Sequence, residues 1–397
     1  MIALKGGVVV TVTDGIITNG MILIDGDKIV DVGANLAVPD GVDVIDAGDC
    51  WVTPGFIDAN SHISVDNEPN VLAGPGAMTG DANELTGAIT PHVRAIDSFH
   101  PQDFAIKKVR EAGFTTCFTG PGAPALIMGA APTNVVGGVG FGFKLNTAES
   151  VEDMELTGTS AMQVCLGEDV LRFYAAKGKP PMTRMGAAAL LRDVLLRSTE
   201  YLEDRGKEDG KPKERDFHME AMLPALRREM KVRFDCCRAD DIITAIRIAE
   251  EFNLDYYLGF CTEVYKVLDI VKDKGVFCCL GPVVGSPFKE ELWDSRLDTA
   301  ARLENAGIDF CLCENAMSNT RWLPWHVGVA MAHGLSEQKA FEAVTINPAR
   351  IMGVDKKVGA LKKGMDADIA VFNGHPFSNL TLCKAVLING FVEYNDL

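Results

Sequence analysis

At 397 residues, 47% hydrophobic and 23% charged, the chain has an ordinary globular composition with length enough for a large core. Its 38 basic and 55 acidic residues give a net charge of −17, and no segment gathers the basic ones. That argues against nucleic-acid and anionic-membrane partners and leaves small neutral or cationic ligands open. The N-terminus runs directly into an alternating strand pattern without a basic leader, and no apolar run approaches a membrane span, so a cytoplasmic location is expected. Eleven cysteines include the neighbours Cys236-Cys237 and Cys278-Cys279, which in a strand would face opposite ways; this predicts reduced thiols rather than a disulfide framework.

In chain order, residues 1 to about 50 read as short strands between turn signals: 7–12, Asp14-Gly15, 21–25, Gly26-Asp27, 28–32 and 42–46. The far end has the same texture, with strands at 368–372 and 385–388 and a turn at Asn389-Gly390. Matching β pieces around a different middle predict that 1–52 and 358–397 pair into one small β-sandwich domain. Between them, apolar runs alternate with helical patterns, as parallel βα units do, and the length suits a (β/α)8 TIM barrel over 53–357. Its strands are expected at 55–59, 115–119, 134–139, 161–166, 232–237, 256–261, 275–280 and 309–313. After the fifth of these, Ile242, Ala245, Ile246, Ala249 and Phe252 form one helical stripe.

Two stretches break the rhythm. Residues 65–91 are rich in Gly, Pro and Asn and too long for an ordinary βα loop, so on a barrel they cover the C-terminal face, as a lid, a plain cover or a subunit contact. Residues 201–217 are dense in charge and read as a solvated excursion between helices.

The stretch Thr53-Pro54-Gly55-Phe56-Ile57-Asp58-Ala59-Asn60-Ser61-His62 ends a short apolar strand, and a period of two puts Asn60 and His62 on one face. It resembles the first barrel strand of the amidohydrolase superfamily, which usually ends Pro-Gly-Phe/Leu-Ile-Asp-x-His-x-His. The tail 358–368 is similar to that superfamily's Gly-x-Leu-x-x-Gly-x-x-Ala-Asp. Asn83-Glu84, the run 90–97, Gly120-Pro121-Gly122, Leu166-Gly167-Glu168, the runs 183–186 and 238–242, and Asn347-Pro348-Ala349 carry the likeness along nearly the whole chain. It is nearest to the imidazolonepropionase-like bacterial amidohydrolases.

The resemblance implies metal-dependent hydrolysis of C–N bonds in amides or cyclic amides, with one or two divalent ions activating a water and a carboxylate taking its proton. The implied ligand positions are Asn60, His62, Gln163, Asp235, Phe260 and Glu314, where the family carries His, His, a carbamylated Lys, His, His and Asp. Only His62 keeps its residue. Glutamine cannot form a carbamate, and Lys144 is a substitute in a frame that matches less well. If the ligands divide as the family's do, the metal position of Gln163, Asp235 and Phe260 is abolished, since phenyl has no lone pair; that of Asn60, His62, Gln163 and Glu314 is weakened.

Two functions follow. In the first, the protein is a non-catalytic or weakly active binding or assembly subunit without a tightly bound cofactor, with His62 and Glu314 paired around an empty metal position. It would take a small-molecule ligand and form a homo-oligomer or a complex with an intact relative. In the second, it is an active hydrolase of a non-peptide C–N bond using one divalent metal on His62 and Glu314, with Asp235 as an optional third ligand and help from Asn60, and with Glu314 the catalytic carboxylate. His62 alone would also suit a satisfied structural histidine. His92, Arg94 and Asp97 either line a pocket or lock the long loop onto the barrel, and the second is preferred. Cys236, Cys237, Cys261, Cys278, Cys279, Cys311 and Cys313 on strands five to eight could form a soft-metal or thiolate site, but no Cys-x-x-Cys occurs and small apolar filler is the preferred reading.

Overall fold

The computed structural model describes residues 1–66, 80–122, 125–126, 129–130, 133–205, 214–285, 287 and 289–397. The chain opens with β1 (Ile2–Val10), β2 (Ile16–Asp25), β3 (Lys28–Gly33), β4 (Asp43–Asp46) and β5 (Trp51–Pro54), and turns at Gly55 into β6 (Phe56–Ser61). A side chain at Gly55 would stand 2.1 Å from Thr115, so the change of sheet depends on a residue without one.

The barrel continues with β7 (Phe114–Thr119), a small hairpin of β8 (Ala125–Leu126) and β9 (Gly129–Ala130), then β10 (Val136–Lys144), β11 (Glu155–Cys165), β12 (Lys231–Cys236), β13 (Tyr256–Phe260), β14 (Cys278–Leu280) and β15 (Phe310–Leu312). Its sheet order is β15-β14-β13-β12-β11-β10-β7-β6. Backbone bonds Asn315 N to Asn60 O and His62 N to Ala316 O, both 2.9 Å, draw its two edges together. The fold is thus a TIM-barrel-like α/β architecture, and β6 is buried along its full length, as barrel strands covered on both faces are.

One strand departs from the expected all-parallel order. β10 pairs antiparallel with both β7 and β11. Residues 145–154, which join β10 to β11, are too few for the helical crossover that a parallel pair requires. The reversal also decides the place of Lys144. It lies at the end of β10 away from His62, and its ammonium binds Asp366 Oδ2 at 2.6 Å and Asp368 Oδ1 at 3.2 Å. Lys144 therefore ties the barrel to the tail and is not a stand-in for the lysine missing at Gln163.

Helices α1 (Phe104–Arg110), α2 (Glu168–Ala176), α3 (Arg184–Arg205), α4 (Phe217–Leu226) and α5 (Ala239–Glu251) lie among these strands in the chain. In α5 the expected stripe is buried at Ile242, Ala245, Ile246 and Ala249. Among the described residues, no helix is long and apolar enough to cross a membrane. The chain closes with β16 (Ile369–Phe372), β17 (Cys383–Ile388) and β18 (Phe391–Asn395), which join β1 to β5 in one eight-stranded sheet through the antiparallel pair β16 and β5.

Of the long connection 65–91, residues 67–79 lie outside the described residues, and so do 206–213 of the charged excursion. Residues 88–93 are sewn to β10 by backbone bonds, Thr90 N to Val136 O at 2.8 Å and Val139 N to Val93 O at 2.8 Å.

Candidate functional site

The site is built from the ends of β6, β11, β12, β13 and β15. Asp58 organises the first of them: its buried carboxylate accepts from Asn60 N at 2.9 Å, Glu314 N at 3.3 Å and Thr320 Oγ1 at 3.1 Å, clamping β6 to the segment after β15. Two residues further on, Asn60 is fully buried and neither atom of its side-chain amide has a partner among the described residues.

His62 is also fully buried. Its Nδ1 lies 2.8 Å from Gly120 O and its Nε2 3.1 Å from the side-chain amide of Asn315. Burial, reinforced by the charge of Arg233, lowers its pKa from 6.5 to about 4, so the ring is neutral at pH 7. A carbonyl can only accept, so Nδ1 carries the proton, Nε2 is the acceptor and Asn315 must turn its NH2 toward it.

The expected pairing of His62 with Glu314 is not formed. Glu314 Oε1 is bonded to His326 Nδ1 at 2.5 Å instead. Asn315, in the left-handed region at φ 52°, turns the chain directly after Glu314, so the amide and not the carboxylate meets His62. Burial raises the pKa of Glu314, opposed by its bond to His326.

Asp235 meets two partners through one oxygen, Gln163 Nε2 at 3.2 Å and Arg233 Nη2 at 3.1 Å. Burial pushes its pKa up and the guanidinium pulls it down. Gln163 Oε1 has no hydrogen-bond partner among the described residues and fills the space a side chain at Gly137 would take, 2.1 Å from that position.

Arg233 was not among the residues singled out from sequence. It is 1% exposed, and its Nη2 also donates to Pro121 O at 2.7 Å. A methyl group on Gly122 would stand 2.8 Å from His62 Cε1 and 3.0 Å from Arg233 Nη2, so imidazole and guanidinium flank the same glycine. The signal was present: Arg233 and Asp235 share one face of a barrel strand by period, and a charge there requires a partner.

Phe260 occupies the β13 position in the left-handed region at φ 63°. Its ring packs with Cys237 and Leu292, and the Lys289 ammonium lies 5.4 Å from the ring centre. Away from this group, His92 stacks on His218 at 4.1 Å, while Arg94 and Asp97 pair with each other on the surface at 2.8 Å. The side chains of Arg94 and Asp97 do not join His62 and Asp235, while the backbone at Arg94 bridges to Val139 of β10, so the loop is locked there through the main chain. All eleven cysteines are free; ten are buried and Cys50 is half-buried.

The donors do not fit a divalent ion. Both nitrogens of His62 are engaged, Glu314 faces His326, and Asp235 faces a guanidinium. Among the described residues, no three His, Cys, Asp or Glu side chains come together as a metal site. A divalent ion ~4 Å from the guanidinium would meet a repulsion on the order of 8 kcal/mol at an effective dielectric of about 20. The arrangement can orient and hydrogen-bond a polar group.

The barrel and the placement of these residues at its strand ends define an α/β-barrel protein of the hydrolase type. The chain belongs to the amidohydrolase superfamily, a group whose family-level activity is hydrolysis of C–N bonds. The profile of the amidohydrolase family matches residues 216–393. The crystal structure of an amidohydrolase from Thermotoga maritima MSB8 is 31% identical, covers 100% of both chains and superposes with a TM-score of 0.92. Amidohydrolase tasK of Hapsidospora irregularis is 25% identical over 377 residues, 90% of this chain but 38% of that protein. An imidazolonepropionase of Thermoplasma acidophilum is 27% identical over 117 residues, 28% of this chain and 27% of that protein. The chain thus spans well under two thirds of the length of these two curated relatives.

Proposed function

We propose that this protein keeps the amidohydrolase scaffold without metal-activated hydrolysis and serves as a binding or assembly subunit. It takes a small-molecule ligand at the C-terminal end of the barrel and assembles with further copies of itself or with a metal-complete relative. In this reading residues 53–357 are the barrel unit, and 1–52 with 358–397 are a β-sandwich unit; the sheet shared by both chain ends supports that division.

The observation that carries the reading is the engagement of His62. It is the single ligand-type residue left unchanged at the six positions, and both of its nitrogens are occupied by protein groups. Elemental analysis after dialysis, with assays on cyclic amides and imides, is the test. The expected result is less than one transition metal per chain and no hydrolysis above background. Near-stoichiometric zinc, manganese or iron, lost together with activity on His62→Ala or Glu314→Ala, would overturn this reading in favour of a mononuclear hydrolase.

A further inference from the structure

We infer that the guanidinium of Arg233 is the resident cation of this barrel, a covalently attached charge standing where His62, Gln163 and Asp235 converge and closing that place to a divalent ion. The inference rests on the proposed loss of metal-activated hydrolysis and supplies its cause. Three observations carry it. The guanidinium contacts Asp235 Oδ2, the same oxygen that Gln163 binds, and lies beside His62 across Gly122. It is held from the side by the carbonyl of Pro121, whose neighbour Gly120 holds His62, so one short segment fixes both side chains. Its Nε and Nη1 have no hydrogen-bond partner among the described residues, although a buried arginine that merely stitched a core together would have its donors satisfied.

Taking the charge away would uncover a latent cation site. Asp235 would lose its counter-ion, Gln163 Oε1 has no hydrogen-bond partner among the described residues, and His62 Nε2 would exchange its contact with the Asn315 amide for the ion. One carboxylate, one imidazole and an amide oxygen form a mixed donor set that suits zinc or manganese better than a soft ion. The present chain answers the buried carboxylate with its own cation.

The test uses the full-length chain, zinc chloride and manganese chloride as probes, and equilibrium dialysis with a thermal-shift readout. Arg233→Met keeps most of the side-chain length and removes the charge. Wild type should retain neither metal. Arg233→Met should retain about one zinc per chain with affinity raised at least ~10-fold over wild type, and Arg233→Met/Asp235→Asn should lose that gain. A folded Arg233→Met that holds no more metal than wild type overturns the inference. If Arg233→Met is unfolded alone, zinc should restore its fold and a chelator reverse the rescue; failure to fold with zinc present overturns the inference equally. Wild type retaining stoichiometric metal in a His62-dependent way is a different result, because it sinks the proposed function itself.

Discussion

Changing Lys144 to methionine removes one ammonium, keeps most of the stem, and should weaken the joint between the barrel and the tail. Lys144 is 6% exposed and bonds Asp366 at 2.6 Å, Asp368 at 3.2 Å and the side chain of Asn389 at 2.5 Å. Asp366 keeps a second cation in Lys28, but among the described residues the carboxylate of Asp368, 4% exposed, is left with only the backbone N–H of Asn389 at 2.8 Å. Breaking a buried pair from one side costs about 3–5 kcal/mol, and the retained Lys28 contact puts this change near the lower end, about 3 kcal/mol. Urea unfolding at pH 7, with wild type, Lys144→Met, Asp368→Asn and the double variant as a cycle, measures it. The double variant should be more stable than Lys144→Met alone, since neutralising Asp368 removes the orphaned charge. A loss below about 1 kcal/mol for Lys144→Met, the size of a surface pair, would refute the clasp.

The neutral state of His62 has its own pH signature. Its folded pKa of about 4 lies below the unfolded 6.5, so its contribution to stability is complete above pH 6.5 and is lost as pH falls toward 4, by up to roughly 3 kcal/mol. Thermal unfolding from pH 8 to pH 4 should show a slope that His62→Asn lacks; equal slopes would show that His62 is protonated or solvated in the fold. Thiol titration should find one accessible group, the half-buried Cys50, in the native protein and eleven after denaturation. Several fast-reacting thiols in the native state would mean that strands β12 to β15 open to solvent.

Asn60, Gln163 and Phe260 were legible through the resemblance to the amidohydrolase superfamily, because its motifs fix which strand-end positions carry ligands and a residue without the right donor atom stands out there. The paired texture of the two chain ends was legible for a similar reason, since strand-and-turn punctuation is local chemistry. Glu314 was not so legible. A one-residue turn at Asn315 decided which of two adjacent side chains met His62, and backbone torsions of that kind depend on what closes the barrel. Lys144 failed for a topological reason: the strand expected at 134–139 runs on to Lys144, and its direction is set by the length of the connections on either side.

Residue types, their periods and the superfamily motifs were determined by the sequence by itself, and with them the barrel-like fold and the loss of imidazoles from the strand ends. Only the tertiary structure decided what took their place. Arg233 and Asp235 lie two residues apart in any reading, yet it takes β11, β12 and the Gly120–Gly122 segment together to put Gln163 and the guanidinium on one carboxylate oxygen and to hold the guanidinium and His62 by adjacent carbonyls. A buried charge must find its partner in three dimensions, and sequence order carries no record of that distance.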